Sequence, residues 1–131
     1  MEQMNQFLRS LYLGDRWCEC MEVGEDRIVF QVNLISRVQK GIMEWNYYSD
    51  EDILHGCLVF EEVSEFKGSS DLEFNDEIYE VKVLEKKDEI YTFVVYGCNV
   101  SDNVVSTGLE YQIKAKRFYI LNPQNNTIIR E

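Results

Sequence analysis

The run Trp17-Cys18-Glu19-Cys20-Met21-Glu22-Val23, followed by Gly24-Glu25-Asp26-Arg27 and then Ile28-Val29-Phe30-Gln31-Val32-Asn33-Leu34-Ile35-Ser36, decides the fold. Side chains of a strand point alternately to the two faces of its sheet, so apolar residues at every second position mark a half-buried strand. Trp17, Glu19, Met21 and Val23 oppose Cys18, Cys20 and Glu22; Ile28, Phe30, Val32 and Leu34 oppose Val29, Gln31, Asn33 and Ile35. Glycine and aspartate between two such runs supply turn backbone, and the stretch reads as a β-hairpin.

Working outward, four more runs read as strands: 57–66, 78–85, 90–98 and 109–121. The third is apolar on both faces, the pattern of a covered central strand. The fourth changes its apolar phase near Lys116 and Arg117, which predicts a bulge or bend there. On the other side of the hairpin, Met4, Phe7, Leu8, Leu11 and Tyr12 recur at helical spacing over residues 2–13, with Gly14 in the usual stopping position. The fold class that follows is mainly β (α+β). It is a single domain over 1–131, built as an antiparallel β-sandwich or open barrel of six to seven strands with one N-terminal helix.

Between the hairpin and the next strand lie residues 44–56, Glu-Trp-Asn-Tyr-Tyr-Ser-Asp-Glu-Asp-Ile-Leu-His-Gly, which hold one Trp, two Tyr, four acids and the single His of the chain. A connection this long is usually functional or disordered, and this one is too aromatic for disorder. Ser49 with Asp52 three residues on resembles a capping box, so a short helical turn is predicted over 50–55, stopped by Gly56. Trp and Tyr give large contact area at small entropic cost, and an acidic rim surrounds them here. Glu44, Trp45, Tyr47, Tyr48, Asp50, Glu51 and Asp52 are therefore the candidate binding residues. The competing reading is that the acids cap the helix and at least two of the rings close the end of the core.

Charge points the same way. The chain carries 24 acids against 13 Lys and Arg, and the span 44–89 holds 15 acids against 4 lysines. The net −11 thus belongs to the middle of the chain, and the rest sums to zero. Such a field repels nucleic acid and attracts a basic protein partner, or simply keeps the protein soluble. No run approaches the ~20 apolar residues of a membrane helix, and residues 1–13 lack the basic start and apolar block of a secretory signal, so a cytoplasmic location is expected.

Catalytic and cofactor signals are sparse. The sequence holds no glycine-rich phosphate loop and no serine in a nucleophile-elbow setting, and non-catalytic binding without a cofactor is the expectation. Asp50, Asp52 and His55 would suit a divalent cation through one helical turn, and His55 could activate a cysteine brought near it by the fold; a metal-assisted or thiol enzyme is the alternative. A third reading is a self-associating module, a homodimer paired through an edge strand. Cys18 and Cys20, two apart in a strand, are expected on one face about 7 Å apart. That spacing suits neither a disulfide nor a zinc knuckle, so Cys18, Cys20, Cys57 and Cys98 are expected to be buried free thiols.

Four segments carry a resemblance: Phe7-Leu8 with Leu11-Tyr12-Leu13-Gly14-Asp15-Arg16, Ile35-Ser36-Arg37, residues 44–53, and Leu58-Val59-Phe60-Glu61. The chain resembles a family of small, uncharacterised bacterial proteins, similar in length and acidity, and reminiscent of the immunity-like proteins of toxin systems. The resemblance covers most of the first half, fades beyond Phe66 and brings no catalytic residue. It implies an inhibitor that occludes a basic toxin or enzyme partner.

Overall fold

Apolar alternation, tight turns and one helical stripe generate the long elements of the computed structural model, which describes residues 2–13, 17–37, 52–68, 77–99 and 107–130. In chain order these are α1 (Glu2–Arg9), β1 (Leu11–Tyr12), β2 (Cys18–Val23), β3 (Arg27–Val32), β4 (Leu34–Arg37) and β5 (Asp52–Leu54). They continue with β6 (Cys57–Gly68), β7 (Glu77–Lys87), β8 (Ile90–Asn99), β9 (Thr107–Asn122) and β10 (Thr127–Ile129). Seven strands make one antiparallel sheet, in the order β2-β3-β6-β9-β8-β7 with β10 added to the far end of β9. It curls until its two edges meet at a single bridge, Trp17 to Glu77, without closing into a barrel. The mainly β, antiparallel class read from the alternation is the class observed.

The hairpin β2/β3 forms, with one change of phase. A bulge between Cys18 and Cys20 pairs them with the adjacent residues Val32 and Gln31. An inserted residue reverses the alternation beyond it. Cys18 is therefore buried and Cys20 exposed, which corrects the expectation that both thiols leave one face.

Phase also changes where the sheet bends. In β6 both Phe60 and Val63 pack in the core, and in β9 both Ala115 and Phe118 do, leaving Glu62, Lys116 and Arg117 outside. The register holds through this corner, Glu61 with Arg117 and Val63 with Ala115, and shifts just beyond it, between Val63 and Glu65. Glu62 absorbs the turn with φ 53°. The bend predicted near Lys116 and Arg117 is this corner. At the other tight reversal, Asp88 and Glu89 both take positive φ, as a two-residue hairpin loop requires.

Phe60 lies at the centre of the core. Its ring centroid is 4.9 Å from Phe118, 5.2 Å from Phe93 and 6.0 Å from Phe30. Burying one such side chain contributes about 1.5–3 kcal/mol. Helix α1 covers this core with Phe7, whose ring lies 5.8 Å from Phe118. The helix is shorter than its stripe suggests. Ser10 ends it by donating its amide to the Gln6 and Phe7 carbonyls and its hydroxyl to the Phe7 carbonyl. Leu11 and Tyr12 then leave as β1.

A second sheet, in the order β1-β4-β5, was not legible in the sequence. Its strands are 2, 4 and 3 residues long, too short to show a period. β5 also corrects a prediction. Residues 52–54 are extended, not helical, because Ile53 pairs with Ile35 and both side chains are buried. His55 follows in a turn with φ 57°, and Gly56 packs so closely on Ile35 and Ile53 that a Cβ would collide with them.

Candidate functional site

Where β3 hands over to β4, Asn33 interrupts the ladder and ties three segments together. Its Oδ1 accepts the Trp17 amide at 2.9 Å, and its own amide donates to the Trp17 carbonyl at 3.1 Å. Its carbonyl accepts the His55 amide at 2.9 Å. A short polar side chain that bonds neighbouring backbone is what such a junction needs. The start of β2, the end of β3 and the β5–β6 turn are thereby fixed to one residue.

Two large apolar side chains stand exposed on this frame, Trp17 at 42 % and Leu54 at 51 %. Trp17 neighbours the buried Cys18 and so lies on the outer face, and Leu54 alternates with the buried Ile53. Around them the polar groups are acidic. Glu19 Oε1 lies 2.6 Å from His55 Nδ1, Glu77 bridges Trp17, and Asp52 shares the outer side of β5 with Leu54. Asp52 Oδ1 accepts the Ser36 hydroxyl at 2.9 Å, across the register pair Ser36 and Asp52. That pair ties the end of β4 to the start of β5.

Next to this surface the outer face of the main sheet is a small second core. Val29, Val59 and Tyr119 are successive register partners, and Gln31, Cys57 and Leu121 form the adjoining row. Tyr119 closes it, with its hydroxyl bonded to Glu61 and Arg27 and the Arg130 guanidinium 5.4 Å above its ring. Burial first, then the Glu61 carboxylate, push the Tyr119 hydroxyl above its ordinary pKa. This apolar row is covered by its own side chains.

Of the residues singled out in the sequence, Glu44, Trp45, Tyr47, Tyr48, Asp50 and Glu51 lie outside the described residues, as does Ser49 of the expected capping box. Asp52 is described and stands in β5 as a strand residue. His55 is held by Glu19, and among the described residues no group of three or more His, Cys, Asp or Glu is arranged to hold a metal. The thiols nearest His55 are poorly activated. Burial first, then the charge of Cys20 and Glu22, push Cys57 up; burial first, then Glu22 and Glu19, push Cys20 up. A nucleophilic cysteine needs the opposite shift. All four cysteines are free, Cys18 and Cys57 buried and Cys98 half-buried.

Sequence reasoning missed Trp17, Leu54, Glu19 and Asn33 as site residues. The signal for Trp17 was present but misread: strict alternation groups it with Met21 and Val23, and only the bulge after Cys18 frees it from that face. Asn33 sits at a polar position of an otherwise alternating run, which reads equally as a wet strand face.

No helix among the described residues is long and apolar enough to cross a membrane. No curated protein and no solved structure matches the chain. A family model covers nearly all of it, residues 1–130 of 131, and by that match the chain belongs to the family of unknown function DUF6258.

Proposed function

We propose that this is a non-catalytic binding protein of the cytoplasm, an immunity-like inhibitor of bacterial origin that occludes a basic toxin or enzyme partner. The observation that carries the reading is the Asn33 junction. It holds exposed Trp17 and Leu54 on a fixed backbone with Glu19, Asp52 and Glu77 around them. Exposed aromatic and aliphatic anchors inside a polar rim are the anatomy of a protein interface. Asp52 joins this surface to the candidate residues Glu44, Trp45, Tyr47, Tyr48, Asp50 and Glu51, which precede it in the chain.

The mechanism is steric block with charge complementarity. The excess of acids over 44–89 speeds encounter with a cationic partner and makes association sensitive to salt. A metal or thiol enzyme built on Asp50, Asp52 and His55 finds less support. The thiols beside His55 are pushed away from the reactive thiolate. A thermal-shift series with Ca²⁺, Mn²⁺ and Zn²⁺ separates the two readings, because a ligand that binds only the folded state raises its stability. The binding reading expects no metal-dependent rise; a rise with one ion that Asp52→Asn or His55→Gln abolishes would replace it.

A further inference from the structure

We propose that the outer edge of β7, where it faces α1, takes an extended segment of a partner protein as an added strand, with a carboxylate of that segment paired to Arg9. This site is separate from the Asn33 surface and does not depend on it.

Strand β7 pairs with β8 along one side from Glu77 to Lys87, regularly over Glu80 to Val83 and with register shifts on either side, between Ile78 and Glu80 and between Val83 and Glu85. On its other side, among the described residues, the sole pairing is the bridge from Glu77 to Trp17. A groove of about 720 Å³ follows, walled by residues 79–83 on one side and by Leu8, Arg9, Leu11 and Leu13 on the other. Five consecutive residues of one strand can line a groove only if it runs along the strand's edge, because alternate side chains face opposite ways. Among the described residues, this edge presents a row of backbone donors and acceptors without ladder partners. At about 3.3 Å per residue, 79–83 offers roughly 16 Å, the length of a five-residue strand.

A strand edge beside a helix is the setting in which extended peptides add to a sheet. The floor is apolar, with Leu8, Val81 and Val83 buried, so alternate side chains of the occupant have apolar seats. The polar wall selects its charge. Lys82 Nζ has Glu80 at 3.6 Å, whereas Arg9, exposed at the end of α1, has no ion-pair partner among the described residues. Among the described residues, Arg9 is therefore the cation of the groove without an ion-pair partner, and a carboxylate complements it. The field of the acidic surface is screened beyond about 8 Å at physiological salt, so inside the groove the nearest charge decides.

The test uses the full chain and a labelled, end-blocked heptapeptide of alternating valine and threonine with a central glutamate, alongside the same peptide with lysine at that place. Saturable anisotropy change with the glutamate peptide is expected, together with slowed amide exchange confined to residues 79–83. Arg9→Glu, a surface change checked by an unchanged melting temperature, is expected to weaken the glutamate peptide about tenfold and to favour the lysine peptide. No saturable binding up to ~1 mM overturns the proposal. Binding without protection at 79–83, or an Arg9→Glu variant that leaves the preference unchanged, overturns it equally. A dimer by mass in solution, with 79–83 already protected before peptide is added, would name a second copy as the occupant and reject the partner segment.

Discussion

Trp17 and Asn33 are bonded twice, amide to side-chain oxygen at 2.9 Å and amide to carbonyl at 3.1 Å, and this double link orients an exposed aromatic side chain of the candidate surface. Half of the link belongs to the backbone and survives any substitution. The other half is the Asn33 side chain alone. Asn33→Ala is expected to cost about 1 kcal/mol, the usual net worth of one hydrogen bond, and to lower the melting temperature by a few degrees. Amide exchange at Trp17 should accelerate while the central strands stay protected. An unchanged exchange rate at Trp17 would mean that the side-chain bond does not orient it.

Gly97 and Gly68 separate two kinds of crowding. A Cβ at Gly97 would collide with the Glu77 carbonyl, which is backbone at the point where the sheet edges meet. A Cβ at Gly68 would collide with the Tyr111 ring, which also stacks on Phe66. Overfilling a packed site costs about 1–3 kcal/mol. Gly97→Ala is expected at the upper end, because backbone cannot swing aside, and Gly68→Ala lower. Urea midpoints in the reverse order would contradict the account of the seam.

Glu65 gives the acid limb of stability a specific contributor. Its carboxylate lies 2.7 Å from Lys67 and 3.2 Å from Lys114, and their hydrogen bonds hold its pKa below the ordinary 4.5. A carboxyl with a depressed folded pKa contributes stability above its unfolded pKa and loses it as pH falls through the folded value. The wild-type melting temperature should therefore drop on acidification below about 4.5, and Glu65→Gln should drop less over the same window. The difference is expected to be small, as for other exposed pairs, and to shrink in high salt. Equal slopes for both proteins would remove Glu65 from the explanation.

The same reasoning predicts slow thiols. Cys20 is exposed but raised, and Cys57 is raised and buried. Iodoacetamide at pH 7, read by mass spectrometry of the digest, should modify Cys20 more slowly than free cysteine and Cys57 more slowly still, with both rates rising as pH increases. Rapid, selective labelling of Cys57 would revive the thiol-enzyme reading.

These positions also show where a sequence stops being readable. The long strands were legible because Phe30, Phe60, Phe93 and Ile113 keep a period of two for long enough to be seen. The corner at Lys116 and Arg117 was legible as a broken phase. The bulge at Glu19 was not, because Glu19 stands between two identical cysteines, and an alternation that slips by one residue there looks the same as one that does not. The helix expected over 50–55 failed for a related reason. Asp, Ile and Leu fit a capped helical turn and an alternating strand equally well, and only pairing of Ile53 with Ile35, 18 positions earlier, decides between them. The short sheet that frames the candidate surface is built entirely of such undecidable pieces: Asp52 was among the residues singled out in the sequence, Trp17 and Leu54 were not.

The most direct measurement is capture from a lysate of the native cells with three tagged proteins, wild type, Trp17→Ala/Leu54→Ala and Asn33→Ala, each at low and at about 0.5 M salt, where exposed charge is screened within a few ångströms. The account predicts one basic protein held by the wild type at low salt and released at high salt. It should be lost from the double variant, whose exposed side chains leave the fold intact, and weakened with Asn33→Ala. An empty wild-type capture at both salts, or a partner held equally by the folded double variant, would contradict the claim that this surface binds a basic protein.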